Sequence, residues 1–344
     1  MSSIIPVSKF IHALSVFPST TQNIVISSGY IFTYENNILC FGKFPLNDVQ
    51  IYSNFKNLTK ILSGFDPEDN VKCTSENGFI KIISKNSSVE ISSITPDEHF
   101  IKIIQSIEKT DAVYPIKNKE DFRSKLLLSI SVARKDNFSG ILDCIYISEK
   151  GRIISSDNVR GLIISHKEKI RAPITIKAKT VQVFLKSSCP SKIKLYHQDG
   201  RDYWVSFFDE DLKMHYCAKM PTIEKFPQQK FESFFETCRE TKGRFFEFPD
   251  EVKNVLKKMS SFCEGKDFSK TATLKFKKGS VICSTQIPNG IFKKKLLIKN
   301  KEEFSVTINP SLFITPGESV EFKILQNVIY YKNDDTEYIM AIGE

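Results

Sequence analysis

Few residues in this chain are of a type and spacing that could do covalent chemistry. The five histidines, His12, His99, His166, His197 and His215, are far apart in sequence and lie near the ends of expected strands or helices, where surface or capping roles are commoner than catalysis. The eight cysteines, Cys40, Cys73, Cys144, Cys189, Cys217, Cys238, Cys263 and Cys283, follow long irregular spacings with no C-x-x-C. Buried free thiols are therefore expected rather than a zinc site or a disulfide framework. The acidic runs Asp209-Glu210-Asp211 and Asp334-Asp335 fall between strands, where turn chemistry accounts for them. No phosphate-binding glycine loop, no dinucleotide fingerprint, no H-E-x-x-H and no G-x-S-x-G occurs. The expectation is a protein that is not an enzyme, with no catalytic residue, metal or cofactor.

The recurrent pattern is instead electrostatic. The balance of 49 Lys+Arg against 40 Asp+Glu gives +9, which permits attraction to a polyanion. Several amphipathic helices put their lysines and arginines on the face away from the core: Lys56 and Lys60 in the segment 53–63; Lys179 and Lys186 in 178–186; Lys253, Lys257 and Lys258 in 249–262; Arg123, Lys125, Arg134 and Lys135 in 119–135. Like charges at i,i+4 cost about 0.2–0.5 kcal/mol per pair. Repeating that cost suggests that a polyanion faces these surfaces, with a solvated basic face as the alternative.

The elements that must position these groups repeat. A length of 344 residues exceeds what one core supports, and a third of it, about 115 residues, is an ordinary domain size. Each third reads as an amphipathic helix, a strand pair, a second short helix or turn, and more strands. In the first, helix 7–16 precedes the run Ile24 to Tyr34, an Asn36-Asn37 hairpin turn, strand 38–41, helix 53–63 ending at Gly64, and strands 70–74, 79–84 and 88–94. The second has helix 119–135, with Phe122, Leu126, Leu127, Ile130 and Ala133 on one face. Strands 142–147 and 153–155 follow around Glu149-Lys150-Gly151, then helix 178–186 and strands 192–197, 203–208 and 212–219. The third has helix 249–262, strands 271–276, 281–285 and 293–299, a degenerate second helix at 309–315, and strands 319–325, 328–331 and 337–342. The class is α+β with antiparallel sheets.

Within the second third, Cys144-Ile145-Tyr146-Ile147 followed by Ile153-Ile154-Ser155-Ser156-Asp157-Asn158-Val159-Arg160-Gly161-Leu162 resembles the middle domain of bacterial-type sliding clamps, the β subunit of replicative DNA polymerases. Ser156, Asp157 and Arg160 keep the family's Thr-Asp-Gly-His-Arg-Leu-like element; Asn158, Val159 and Gly161 depart from it. Ile94 to Phe100, Glu224 to Pro227 and Tyr338 to Ile342 resemble, in order, the end of the family's first domain, its second junction and its C-terminal strand. The resemblance covers nearly the whole chain.

It implies three tandem similar domains, 1–112, 113–229 and 230–344, each with two helices packed on antiparallel sheets, and a ring closed head to tail by a second chain. The function implied is that of a processivity factor that encircles double-stranded DNA without reading sequence and tethers the polymerase. The implied partners are DNA, DNA polymerase, a clamp loader and a second copy of the chain, with no membrane. Carried over one at a time, Ile141, Ser156, Arg160, Leu162, Pro227, Tyr338, Met340 and Ile342 would line a pocket for short hydrophobic peptides. Leu162 would take the place that Gly161 leaves empty. Such a protein is expected in the cytoplasm: no run of about 20 apolar residues occurs, and the N-terminus has no basic and apolar leader. Two other readings stay open, a non-ring β-rich scaffold that binds nucleic acid or protein, and a nuclease whose carboxylates, Asp157 among them, converge from separate turns.

Overall fold

The computed structural model describes residues 3–342 apart from 48, 77, 93–97, 134–139, 187, 199–201, 222–225, 263–270, 288–289, 300 and 314–320. Its described helices are α1 (Val7–Ser15), α2 (Phe55–Leu62), α3 (Glu98–Lys109), α4 (Lys119–Val132), α5 (Ala178–Leu185), α6 (Gln228–Glu240) and α7 (Asp250–Phe262). The strands between them build antiparallel sheets. The chain divides into two compact units: unit 1 is Met1–Ile130, Ser148–Gly151 and Lys167–Ile223, and unit 2 is Ser131–Ile147, Arg152–His166 and Glu224–Glu344.

Local sequence explains the expected elements. Asn36 and Asn37 both take positive φ, 53° and 64°, as the two central residues of a tight hairpin require. A second such turn at Ser28 and Gly29 (φ 52° and 79°) breaks the run Ile24 to Tyr34 into two strands, Asn23–Ser27 and Tyr30–Glu35. The side chain of Asn54 accepts the Asn57 amide at 3.2 Å, capping α2 and stabilising it by about 1 kcal/mol. In α4, Phe122, Leu126 and Ile130 are buried, but Leu127 is 38% exposed. The helix ends at Val132, so Arg134 and Lys135 lie outside the described residues. At 309–313 the chain forms a turn rather than a helix, with Asn309 Oδ1 accepting from the amide and hydroxyl of Ser311.

Unit 1 contains a short and a long sheet. The short one runs Ser3–Pro6, Asn70–Glu76, Phe79–Ile83, Ser88–Ser92. The long one is eight-stranded and consists of two meanders joined edge to edge. The first meander ends on Ile38–Lys43, the second on Met214–Lys219, and these two strands pair antiparallel from Ile38↔Ala218 to Gly42↔Met214. Unit 2 repeats the plan. Its long sheet joins the meander ending on Arg160–Ser165 to the one ending on Thr336–Ala341, in the register Arg160↔Met340, Gly161↔Ile339, Leu162↔Tyr338. Its short sheet runs Gly290–Leu297, Ser280–Ile287, Ala272–Lys277, Phe304–Ile308.

Period-two alternation gives each sheet two faces. In unit 1 one face of the long sheet carries Phe207 and Tyr216, which pack on Phe184 of α5, and the Tyr216 hydroxyl donates to the Val16 carbonyl at 3.0 Å. The opposite face is covered by α3, whose Ile103, Ile104 and Ile107 form one core with Val25, Phe32, Leu39, Phe41, Trp204 and Cys217. In unit 2, α6 covers the corresponding face, with Phe235 and Cys238 against Ile154, Ile163, Tyr330 and Ile339. The approach is close: a Cβ on Gly161 would lie 2.9 Å from Ile339 Cγ1 and 3.2 Å from Phe235 Cε2. Neither covering helix was expected from the sequence. Both pack across the joint between two meanders, with core partners on the strands of each.

Candidate nucleic-acid and peptide interfaces

The basic helices separate into exposed and engaged cations. Lys56 and Lys60 on α2, Lys179 on α5 with Lys186 at its end, and Lys257 and Lys258 on α7 are exposed, while the apolar residues of the same helices, Leu58, Leu62, Val181, Phe184, Val252, Val255 and Met259, are buried. The amphipathic reading thus places these six ammonium groups outward. Three other cations are tied to the protein. Arg123 donates from Nε and Nη2 to the Leu185 carbonyl (3.2 and 2.7 Å), capping the C-terminal end of α5. Lys125 pairs with Asp121 at 3.0 Å and Lys253 with Asp250 at 3.0 Å. Their side chains are only 13% and 12% exposed.

Of the expected peptide-pocket residues, Ser156, Arg160, Leu162, Tyr338 and Met340 lie on the strands at the joint of unit 2, on both faces of the sheet. Arg160, Leu162, Tyr338 and Met340 share one face by register. Arg160 Nη1 and the Tyr338 hydroxyl both donate to the Leu312 carbonyl, at 3.2 and 3.0 Å. The guanidinium is also held by Asp157, through Nε at 2.8 Å and Nη2 at 2.7 Å, and Asp157 Oδ1 accepts the Val159 and Arg160 amides. That turn explains why Ser156, Asp157 and Arg160 occur together: the Ser156 hydroxyl donates to the Arg160 carbonyl at 2.7 Å. Asn158, at φ 75°, adopts the left-handed conformation that asparagine tolerates. All four residues of this face are buried, Arg160 at 8% exposure and Met340 at 0%. Ser156 is paired with Gly161 and so lies on the α6 face. Pro227 precedes α6, and its neighbour Phe226 stacks on Tyr146 at 4.6 Å. Ile141 lies in the 3-10 turn Gly140–Asp143, and Ile342 is half-buried just past the last strand. Of the family landmarks, 94–97 and 224–225 lie outside the described residues.

Among the described residues no group of three or more His, Cys, Asp or Glu side chains could hold a metal ion. The seven described cysteines are free and all but Cys189 are buried; burial pushes the Cys73 and Cys217 thiols up to about 12, away from nucleophilic use. His215 is stacked on Phe41 at 4.4 Å, with Nδ1 2.9 Å from the Ser206 hydroxyl. Burial, with Lys194 and Lys43 nearby, lowers its pKa to about 3, so it is a neutral core residue. Among the described residues no helix is long and apolar enough to cross a membrane.

Sequence reasoning missed a pair of lysines that cap helix ends, Lys323 buried and Lys194 half-buried. Lys323 Nζ donates to the Cys238 and Arg239 carbonyls (3.0 and 2.9 Å) at the end of α6. Lys194 Nζ reaches the Ile107 and Glu108 carbonyls (3.5 and 3.1 Å) at the end of α3. No local sequence signal separates these lysines from surface ones.

Two α+β units, each joining meanders strand to strand and packing amphipathic helices on its sheets, share the fold of the DNA polymerase III beta subunits, the sliding clamps. A beta subunit from Eubacterium rectale superposes with a TM-score of 0.77 at 12% identity, covering all of both chains. The beta subunit from Pseudomonas aeruginosa gives the same values. The Helicobacter pylori beta clamp bound to a DNA ligase peptide gives 0.70 at 12%, again over the full length of both. No family model and no curated protein matches the chain.

Proposed function

We propose that this chain is a DNA sliding clamp, a processivity factor that encircles duplex DNA and tethers a replicative polymerase. The observation that carries the reading is the state of the sheet edges. In both long sheets the joint is made by the last strands of two three-strand meanders. Each short sheet also ends on such a strand, Ser88–Ser92 in unit 1 and Gly290–Leu297 in unit 2, and both are edge strands. Each short sheet has four strands, half of the eight in the long sheet of unit 1. Pairing Gly290–Leu297 of one chain with Ser88–Ser92 of a second builds a joint of the same kind. Doing so twice closes a head-to-tail ring in which the last strand of every meander is paired. In this reading the chain carries three domains, 1–112, 113–229 and 230–344.

DNA contact falls to the exposed lysines Lys56, Lys60, Lys179, Lys186, Lys257 and Lys258. Ammonium groups on helix faces engage phosphates through long-range, sequence-independent attraction, which permits sliding. Topology then does what affinity alone does not: a closed ring stays on the duplex while each contact remains weak. Arg123 positions α5 instead of contacting DNA.

The partners are DNA polymerase and a clamp loader in the cytoplasm, held through short hydrophobic peptides near the unit 2 strand joint, where Arg160 and Tyr338 fix the Leu312 carbonyl and Ile141, Pro227 and Ile342 remain partly accessible. The buried Leu162, Tyr338 and Met340 would support that surface from beneath. Sedimentation velocity across a concentration series tests the assembly. A discrete two-chain species is expected; monomers at every concentration, or open-ended polymers, contradict the reading.

A further inference from the structure

The faces covered by α3 and α6 have counterparts on the two short sheets, and there no described residue supplies a covering helix. In unit 1, Lys194 stands in a row with Val113 on one neighbouring strand and Ser206 on the other. In unit 2, Lys323 stands between Phe245 and Tyr330. The same position in the short sheet of unit 1 is Lys72, between Ile4 and Ile83. The three rows agree in a further detail, since each sets an exposed apolar residue beside its lysine: Val113 at 36%, Phe245 at 61% and Ile4 at 66% exposure. Lys194 and Lys323 each cap the C-terminal carbonyls of a covering helix. Lys72 is exposed and has no such helix.

We propose that Lys72 anchors a third covering helix, an acidic amphipathic one supplied by a partner protein, with its C-terminal end at the Lys72 ammonium. The chemistry of the occupant follows from both precedents and from charge. The helix α3 offers Phe100, Ile103, Ile104 and Ile107, and α6 offers Phe231, Phe235 and Cys238, so an aromatic-led apolar stripe at i, i+3/i+4, i+7 is what this type of face accepts. The bare face of the unit 1 short sheet presents Phe79 and Ile83 with Lys72, Lys81 and Glu90. The bare face of the unit 2 short sheet presents Ile282 and Leu297 with Lys275, Lys277, Lys293 and Lys295, all exposed lysines.

The inference rests on the ring reading at one point: in the ring these two faces, from two chains, become one continuous surface. Its six lysines against two glutamates, Glu76 in the row of Phe79 and Glu90 opposite Lys81, select a helix with acidic flanks, where the covalently linked joints have Leu39, Phe41 and Trp204 and need none. A C-terminal helix end adds its own partial negative charge opposite Lys72.

The test uses the full chain and one defined probe: a stapled, fluorescein-labelled peptide of the α3 sequence with its two lysines replaced by glutamate, titrated by anisotropy at low salt. Native mass spectrometry of the same samples records the assembly. Saturable binding is expected in the micromolar range, weakened at least about fivefold by Lys72→Met and about tenfold by Lys275→Glu with Lys295→Glu. Binding by Lys56→Glu with Lys60→Glu protein should be unchanged. An assembled dimer without saturable binding up to about 1 mM, or binding indifferent to Lys72→Met, overturns the inference while leaving the ring in place. A monomer that binds the probe with loss on Lys72→Met keeps the anchor and removes the ring.

Discussion

Reversing the charge of α2 tests the electrostatic mechanism quantitatively. Lys56 and Lys60 are exposed on a helix whose core contacts are made by Leu58 and Leu62, so Lys56→Glu with Lys60→Glu leaves the packed face intact. If each lysine neutralises one phosphate, the slope of log K against log salt falls by about 0.9 per lysine, or about 1.8 for the pair, out of about 5.4 for the six exposed helix lysines. Between 50 and 200 mM salt a slope change of 1.8 corresponds to about a twelvefold difference in how far affinity drops. The assay is anisotropy of a labelled duplex titrated at four salt concentrations, with thermal unfolding run in parallel. Introducing two acidic residues at i,i+4 in place of two basic ones leaves the helix within about 0.5 kcal/mol of its original stability. A slope equal to that of the unaltered protein, with the fold intact, would refute the assignment of α2 to DNA.

Three further outcomes follow from packing and burial. Lys323→Met should destabilise unit 2 by about 1–3 kcal/mol in urea unfolding, because two carbonyls at the end of α6 lose a charged donor; an unchanged midpoint would show that water replaces it without loss. Gly161→Ala should cost about 1–3 kcal/mol by overpacking between Ile339 and Phe235, and Gly161→Ala with Phe235→Leu should recover part of it; equal stability of Gly161→Ala and the unaltered chain would contradict the close approach. His215, with its pKa lowered from 6.5 to about 3, stays neutral in the folded protein while the unfolded chain takes up a proton below about pH 6.5. Its contribution is therefore present above that pH and lost, by a few kcal/mol, as pH falls towards 3. Chemical denaturation from pH 7 to 4 should show a shallower decline for His215→Phe, and an identical decline would assign the acid sensitivity to other groups.

The parts of this fold that were legible in sequence are those whose signal is local. The helices α1, α2, α5 and α7 show as apolar spacing with polar outer faces, and Asn36-Asn37 shows as a turn because only a few residue types accept positive φ at both positions. The covering helices α3 and α6 were not legible, although Phe100, Ile103, Ile104 and Ile107 do recur at helical spacing: their place in the repeat is a connection, and what makes them helices is the sheet joint they cover. The strand Arg160–Ser165 was half visible, as a family-like element whose Ser156, Asp157 and Arg160 prove to hold one another in a turn. The candidate site was legible where charge periodicity sufficed, as at Lys56 and Lys60. It was not legible at Arg123, whose partner Leu185 is 62 residues away, whereas Asp121 and Asp250, at i,i+4 and i,i+3 from Lys125 and Lys253, were local signals that those lysines are engaged. Leu162 and Met340 show the same limit for apolar residues, since sequence alone does not separate a pocket wall from the core behind it.

The central claim is that this chain closes into a ring around DNA, and negative-stain electron microscopy near and well above the association concentration tests it most directly. Class averages showing six similar lobes around an open hole are the predicted result. Particles without a hole at every concentration, compact or elongated, would contradict it.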